Sequence, residues 1–472
     1  MSSRTVPKVN PAVRSTQGTP VTAVSSRLRS VALFERPVTL RLPFRFGAAT
    51  VTECPQAFVR VELEIGGRAL IGASAELMVP KWFDKSPQLT HAQNFEQLRE
   101  ALRSARAAYA ETSASMSPFE RSQRAGEAAV AVGVSRGLPR LAAQFGPALL
   151  DKAIADASLR AAGLSWVDGL AAGVLGDPWG PHLALQRPTS VALRHTVGLA
   201  DLLTDGEPGH KPDDGLPATL ESAIREYGLH YFKLKLSGTI DADLDRLSRI
   251  TAVLDASAGD YRVTLDGNET FTDTAALGAY WRALQATPAL ATLLRRTLLL
   301  EQPVARKVAL DQSIADLGIT VPVILDESDD QTDVLERGIA LGYRGISSKA
   351  CKGIYRSLHN AARIAQQPDQ LVLSGEDLTC QAGLAVQQDT LLAASLGVRH
   401  IERNGHHYVD GFGVAPAAEA EAFAAAHPGL YTHTNGRPHL AVRDGLLDIT
   451  SLHVPGFAHA ATPHWDDLQT IS

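Results

Sequence analysis

Eight short apolar runs, each followed by an amphipathic stretch of helical spacing, occupy the second half of this chain and leave few ways to fold it. The runs lie near Val191, Tyr231, Val263, Leu298, Val321, Tyr343, Leu371 and Val398, with segments such as LPATLESAIREYG, DADLDRLSRITAVLDAS and YRSLHNAARIAQQ between them. Strand–helix repetition of this kind demands right-handed crossovers and a parallel sheet. Eight such units favour closure into a (β/α)8 barrel of the TIM type, whose reactive residues sit at the C-terminal strand ends. An open doubly wound sheet is the alternative, but no G-x-G-x-x-G follows a first strand to support a dinucleotide site.

The first half has a different rhythm. From about Arg27 to Ser74 the pattern alternates as strands do, with Gly66-Gly67 supplying a hairpin-like turn. From Asn94 to about Ala162 the apolar spacing becomes helical, and Ser117-Pro118 marks a helix start. Sheet followed by helices implies an α+β domain. The expected organisation is therefore a mobile tail over 1–26, an α+β domain over 27–187 and the α/β barrel over 188–409. A C-terminal segment, 410–472, is expected to fold back onto the N-terminal domain.

A chain of 472 residues with 45% hydrophobic and 20% charged residues can bury a sizeable core, and a net charge of −6 suggests neither nucleic acid nor membrane as partner. Three scattered cysteines, Cys54, Cys351 and Cys380, form no disulfide framework and point to a reducing cytoplasm. The sequence offers neither an apolar stretch of the ~20 residues a spanning helix needs nor the apolar core of a signal peptide at its start.

Three acidic side chains end successive strands: Asp266 in YRVTLDGNE, Glu301 in LLLEQP and Asp326 in VPVILDES. A parallel barrel brings all three to one rim, and carboxylate oxygen is what a hard divalent ion such as Mg²⁺ takes, with Mn²⁺ as a substitute. Just upstream, YFKLKL puts Lys233 and Lys235 on one face of a strand. A lysine beside a bound cation can be held neutral enough to act as a base. Each feature alone has a plainer explanation, since strand lysines are mostly solvated and a strand-end carboxylate commonly caps the next helix. Capping does not explain carboxylates at the ends of three consecutive strands after a lysine pair.

With these motifs in their order, K-x-K at 233–235, D-x-N at 266–268, E-Q-P at 301 and D-E-S at 326, the chain resembles the enolase superfamily in its muconate-lactonizing and mandelate-racemase-like branch. The resemblance runs from about Arg27 to His459. It implies a capping domain built from both chain ends, a bound Mg²⁺ and removal of a proton α to the carboxylate of a small acid substrate, through an enediolate. It also implies symmetric self-assembly through the caps. In that pattern Asp266, Glu301 and Asp326 are the metal ligands, Lys235 is the base and Lys233 orients the substrate carboxylate. Asn268 is either a ligand-supporting group or a turn residue.

The sixth strand, YRGISSKACKGIYRSL, carries K-x-x-K at Lys349 and Lys352, as the muconate-lactonizing pattern does, but only one glycine, Gly353, follows directly. A gapless alignment from that glycine puts Ser347 at the same place. Of the two, only Lys349 has the chemistry of a second acid/base. The seventh strand, LVLSGEDL, has no histidine, which disfavours the mandelate-racemase-like subgroup. Two lysines then make racemisation or epimerisation the leading outcome, with dehydration or cycloisomerisation on the same scaffold as the alternative and a noncatalytic binding protein as the distant one.

Candidate substrate contacts are Arg45, Phe46, Lys81 and Trp82 in the two capping loops and Glu376, Asp377 and Glu402 on the last two strands. His406 and His407 are expected to be exposed loop residues, and Glu327 to point away from the carboxylate cluster.

Overall fold

The computed structural model describes residues 23–112 and 114–472. Three antiparallel strands open the chain: β1 (Arg27–Phe46), β2 (Ala49–Ile65) and β3 (Arg68–Leu77). Along the second half of β1 even-numbered residues from Arg36 to Phe46 are buried and odd-numbered ones face outward or lie part-exposed, so one face of the sheet is apolar. The β2–β3 turn falls at Gly66-Gly67, both at positive φ (56° and 77°), as the glycine pair required. Helices His91–Ala110 and Phe145–Ala162 cover the buried face. Gly72 is what lets the second helix lie against β3, since a Cβ there would fall 2.0 Å from the carbonyl oxygen of Ala153.

The barrel strands are β4 (Ser190–Val197), β5 (Tyr231–Lys235), β6 (Arg262–Asp266), β7 (Thr297–Glu301), β8 (Val323–Ile324), β9 (Gly345–Ser348), β10 (Val372–Gly375) and β11 (His400–Glu402). They run parallel in the spatial order β8-β7-β6-β5-β4-β11-β10-β9, and a bridge between Leu325 and Ile346 closes the ring. All eight fall where the apolar runs placed them. The fold is thus a TIM-type barrel with an α+β domain beside it, each having its own hydrophobic cluster. No helix among the described residues is long and apolar enough to cross a membrane.

Two boundaries differ from expectation. The tail expected over 1–26 lies outside the described residues as far as 22, whereas Val24 donates its N–H to Val174 O and Ser26 pairs with Met116. The segment 410–472, expected to complete the cap, is shared between the two domains: Glu419 pairs with Arg36 of β1 and His459 with Asp156 of the cap helix, while one of its strands joins the barrel sheet. A hairpin of β12 (Tyr431–Thr434) and β13 (Arg437–Leu440) is followed by β14 (Val442–Arg443) and β15 (Leu446–Asp448), and β15 pairs antiparallel with the first residues of β4. Below the level at which β5 begins, that edge of β4 has unpaired backbone groups, and β15 satisfies them. Only β16 (Gln469–Thr470) joins the cap sheet, beside β1.

Candidate active site

The C-terminal ends of β5 to β9 converge beneath the cap. Asp266 and Glu301 face each other directly across the β6–β7 pair, and Asp326 follows β8 two residues beyond the partner of Glu301. All three are fully buried. Lys233 and Lys235, alternate residues of β5, both point inward but at different depths. Lys235 lines a small cavity between barrel mouth and cap, together with Lys349, Asn268, Asp377, Thr379, Glu402, Asn404 and Leu378. Phe44, Phe46, Val79 and Trp82 from the cap roof it.

Lys233 does not reach this cavity. It lies one layer deeper, with Nζ 2.9 Å from Asp266, 2.8 Å from Glu301, 2.6 Å from Glu376 and 3.0 Å from Glu402. Burial pulls its pKa down, but these carboxylates outweigh it and hold the ammonium well above the ordinary lysine value. The role expected for Lys233, contact with the substrate carboxylate, is therefore not the one its position gives it.

Each lysine of the cavity rests on one aspartate. Lys235 Nζ is 2.6 Å from Asp266 Oδ2 and Lys349 Nζ is 2.6 Å from Asp326 Oδ2. Lys349 also stands 4.3 Å from the centre of the Trp82 ring, a cation–π distance. Burial opposes its charge and Asp326 restores it, leaving its pKa above the usual value. Lys352 shares Asp326 with Lys349, reaching its other oxygen at 3.4 Å, but does not line the cavity: it donates to Ser347 O (2.7 Å) and Ser347 Oγ (2.9 Å) and pairs with Asp329 (3.1 Å). Ser347 donates to Asp326, so it supports that carboxylate and leaves the cavity position to Lys349.

Glu301 is the carboxylate left least satisfied. Its Oε1 accepts from Lys233 at 3.0 Å, while the buried Oε2 has no hydrogen-bond donor in line. Burial first, then Asp266 and Glu376, push its pKa well above the carboxylate range. A hard carboxylate oxygen whose contact with Lys233 (2.8 Å) is ionic but not a hydrogen bond, beside two further carboxylates, is a donor set that fits Mg²⁺ or Mn²⁺. Among the described residues, however, no three such side chains already surround a common point: the ammonium groups of Lys233 and Lys349 lie against them instead.

Of the remaining candidates, Phe46, Trp82, Asn268, Asp377 and Glu402 line the cavity, and Glu376 lies beneath it, paired with Lys233 and Arg194. Arg45 is exposed, because strand alternation turns it away from the side that Phe44 and Phe46 share. Lys81 is tied to the carbonyls of its own loop, Ser86 O among them. Glu327 does not line the cavity; it accepts from Asn268 Nδ2 at 3.2 Å and from Lys85 at 3.3 Å. His406 and His407 are buried rather than exposed: they pack with His195 behind β4, and burial lowers the pKa of all three.

Sequence reasoning missed several supports. Gln302, at a strained φ of 30°, accepts the backbone N–H of Asp326 (2.8 Å) and donates to Ser328 Oγ (2.8 Å), which fixes the loop after β8. Its signal was present in E-Q-P. Thr196 and Asn404 both donate to Glu402 Oε1, at 2.7 and 2.9 Å. Lys85 reaches from the cap to Asn268 O (2.5 Å) and Glu269 (2.8 Å), and no local pattern announces it.

No protein-family model matches the sequence, and neither does any curated protein. Solved structures do. A dipeptide epimerase from Cytophaga hutchinsonii, complexed with Mg and the dipeptide D-Ala-L-Val, superposes with a TM-score of 0.61 at 14% identity, covering 94% of this chain and 99% of that one. This chain has their two-domain fold. The same holds for a muconate lactonizing enzyme from Pseudomonas fluorescens complexed with muconolactone (TM-score 0.58, 16% identity, 93% and 97% covered). An enolase from Bradyrhizobium complexed with magnesium and mandelic acid gives 0.59 at 18% identity, with 93% and 96% covered.

Proposed function

We propose that this chain is an enolase-superfamily enzyme of the muconate-lactonizing type, which removes a proton α to the carboxylate of a small acid and returns one to the opposite face, acting as a racemase or epimerase. One observation carries the reading. In the ring of eight strands β5 and β9 are four places apart in either direction, so Lys235 and Lys349 approach the shared cavity from opposite walls. A planar intermediate held between them would have an amine on each face.

The α-hydrogen of a carboxylate is very weakly acidic, and its loss puts two negative charges on oxygen. Asp266, Glu301 and Asp326 are the residues that would hold Mg²⁺, which when bound supplies positive charge for those oxygens. In one direction Lys235, resting on Asp266, accepts the α-proton while Lys349, resting on Asp326, donates one to the opposite face; from the other enantiomer the two exchange roles. The roof of Phe44, Phe46, Val79 and Trp82 keeps water from the α-carbon. The same residues serve dehydration or cycloisomerisation if the intermediate loses a leaving group before it is reprotonated.

The test is exchange of the α-proton in D₂O with Mg²⁺ across a panel of chiral carboxylic acids that includes N-acyl amino acids and dipeptides. The reading expects deuterium in both enantiomers with wild type. Lys235→Ala should abolish exchange from one enantiomer and Lys349→Ala from the other, each by about 10²–10⁴-fold. Exchange that survives both substitutions, or occurs without inversion and with loss of water, sinks the racemase assignment.

A further inference from the structure

Lys233 is surrounded by more negative charge than one ammonium can bind. It has three protons, and they go to Glu301 (3.0 Å), Glu376 (2.6 Å) and Glu402 (3.0 Å). Asp266, 2.9 Å away, is a fourth contact that receives no hydrogen bond from it. These partners stand on opposite walls of the barrel. Asp266 and Glu301 end β6 and β7, on the side of the expected metal ligands, whereas Glu402 ends β11 and Glu376 follows β10.

The two walls are not equally secured. Glu376 is also bound by the fully buried Arg194 and by Ser374. Glu402 accepts from Thr196 and Asn404 and from the N–H of Asp377 (3.2 Å). On the other side, Glu301 Oε2 lacks any donor in line. The far wall is thus a fixed cradle for an ammonium, whereas the near wall offers Lys233 one hydrogen bond, to Glu301, and an Asp266 oxygen that already accepts from Lys235.

We propose that Lys233 is a tethered cation that occupies the carboxylate ring in place of a divalent ion, and that metal binding displaces it from Asp266 and Glu301 onto Glu376 and Glu402. The inference rests on the metal reading given above. An ammonium and a divalent ion cannot both sit at contact distance from the same two oxygen groups, because their like charges repel steeply in so dry a place. Lys233 therefore sets how tightly the metal is held, and Glu376 and Glu402 act as its alternative partners, not as ligands.

Calorimetric titration of the purified protein with MgCl₂, repeated with MnCl₂ and read by electron paramagnetic resonance, tests this without any substrate. Lys233→Met should bind either ion at least about tenfold more tightly than wild type. Lys235→Met, which removes an equal charge that touches only Asp266, should give a smaller gain. Equal or weaker binding by Lys233→Met overturns the proposal while leaving the metal site standing. If neither protein binds either ion, the metal reading itself falls and this inference with it. Should Lys233→Met fail to fold, a wild-type crystal structure with Mn²⁺ decides: Lys233 Nζ more than 3.5 Å from Glu301 supports displacement, and a retained contact refutes it.

Discussion

At the scale of single residues the site is a set of buried charges that stand only because each has a partner. Asp326 shows this most plainly. It takes Lys349, Lys352 and Ser347, and although burial alone would raise its pKa, the lysines drive it far below the carboxylate range. Asp326→Asn would leave two buried ammonium groups without their shared counter-charge. Breaking a buried pair from one side costs about 3–5 kcal/mol, so denaturant unfolding should show a loss of that order. A loss below about 1 kcal/mol would mean that the pair is solvated after all. Asp266, Glu301, Asp326, Lys235 and Lys349 were legible in the sequence because each ends a strand or follows one within two residues, and a strand end has one place to go in a parallel barrel. Depth was not legible: alternation puts Lys233 and Lys235 on one face but does not tell that the rim carboxylates and Glu376 close over the first of them. Nor did the polar sequence around His406 and His407 disclose that the helix Gly405–Tyr408 packs them inward against His195.

At the scale of elements, the cap loop after β3 decides what Lys349 meets. Trp82 lies on that loop, whose backbone the barrel holds at its centre and the cap at its flanks: Arg306, itself fixed by Glu269, donates to Trp82 O (2.8 Å) and Phe83 O (3.0 Å), and Asn94 accepts from Lys81 N and donates to Asp84 O. Lys85 adds its contacts to Asn268 O and Glu269. Arg306→Ala should therefore free the loop without disturbing the strands. Hydrogen exchange followed by mass spectrometry should show faster exchange over residues 79–89 and unchanged protection in β5 to β7. Unchanged exchange in the loop would show that the Phe83–Phe145 ring contact and the Lys85 and Asn94 bonds hold it without Arg306. The strands of both domains could be read from period-two alternation and from apolar runs, since those patterns state which face is buried. This loop could not, because its shape is set by an arginine 224 residues away in sequence. The same limit hid β15, which exists because β4 has an edge to be paired.

For the molecule as a whole, the two domains carry separate cores, and the cap's core contains a titration of its own. Asp151, in the helix Phe145–Ala162, is fully buried and accepts from Tyr109 (2.6 Å) and Ser122 (2.6 Å). Burial pushes its pKa up to about 7, although both hydrogen bonds act against the rise. In the unfolded chain the same group titrates near ~3.9. Between those values the folded protein holds a proton that the unfolded chain has released, so stability from this group is fully present below about pH 4 and is lost as pH rises through about 7. Its full span is about 4 kcal/mol, taken as an order of magnitude. Asp151→Asn cannot titrate. Other groups change protonation over the same range in both proteins, so the informative quantity is the difference in unfolding free energy between variant and wild type, measured by denaturant at fixed pH steps. That difference should move in favour of the variant by a few kcal/mol from pH 4 to pH 7. It should then level off above pH 8, where the wild-type carboxyl is charged in both states. A difference that stays flat across the range would show that the Tyr109 and Ser122 hydroxyls stabilise the carboxylate enough to cancel its burial. In that case the cap gains nothing from acid, and any pH dependence of the whole protein has to come from the carboxylates and lysines of the barrel mouth.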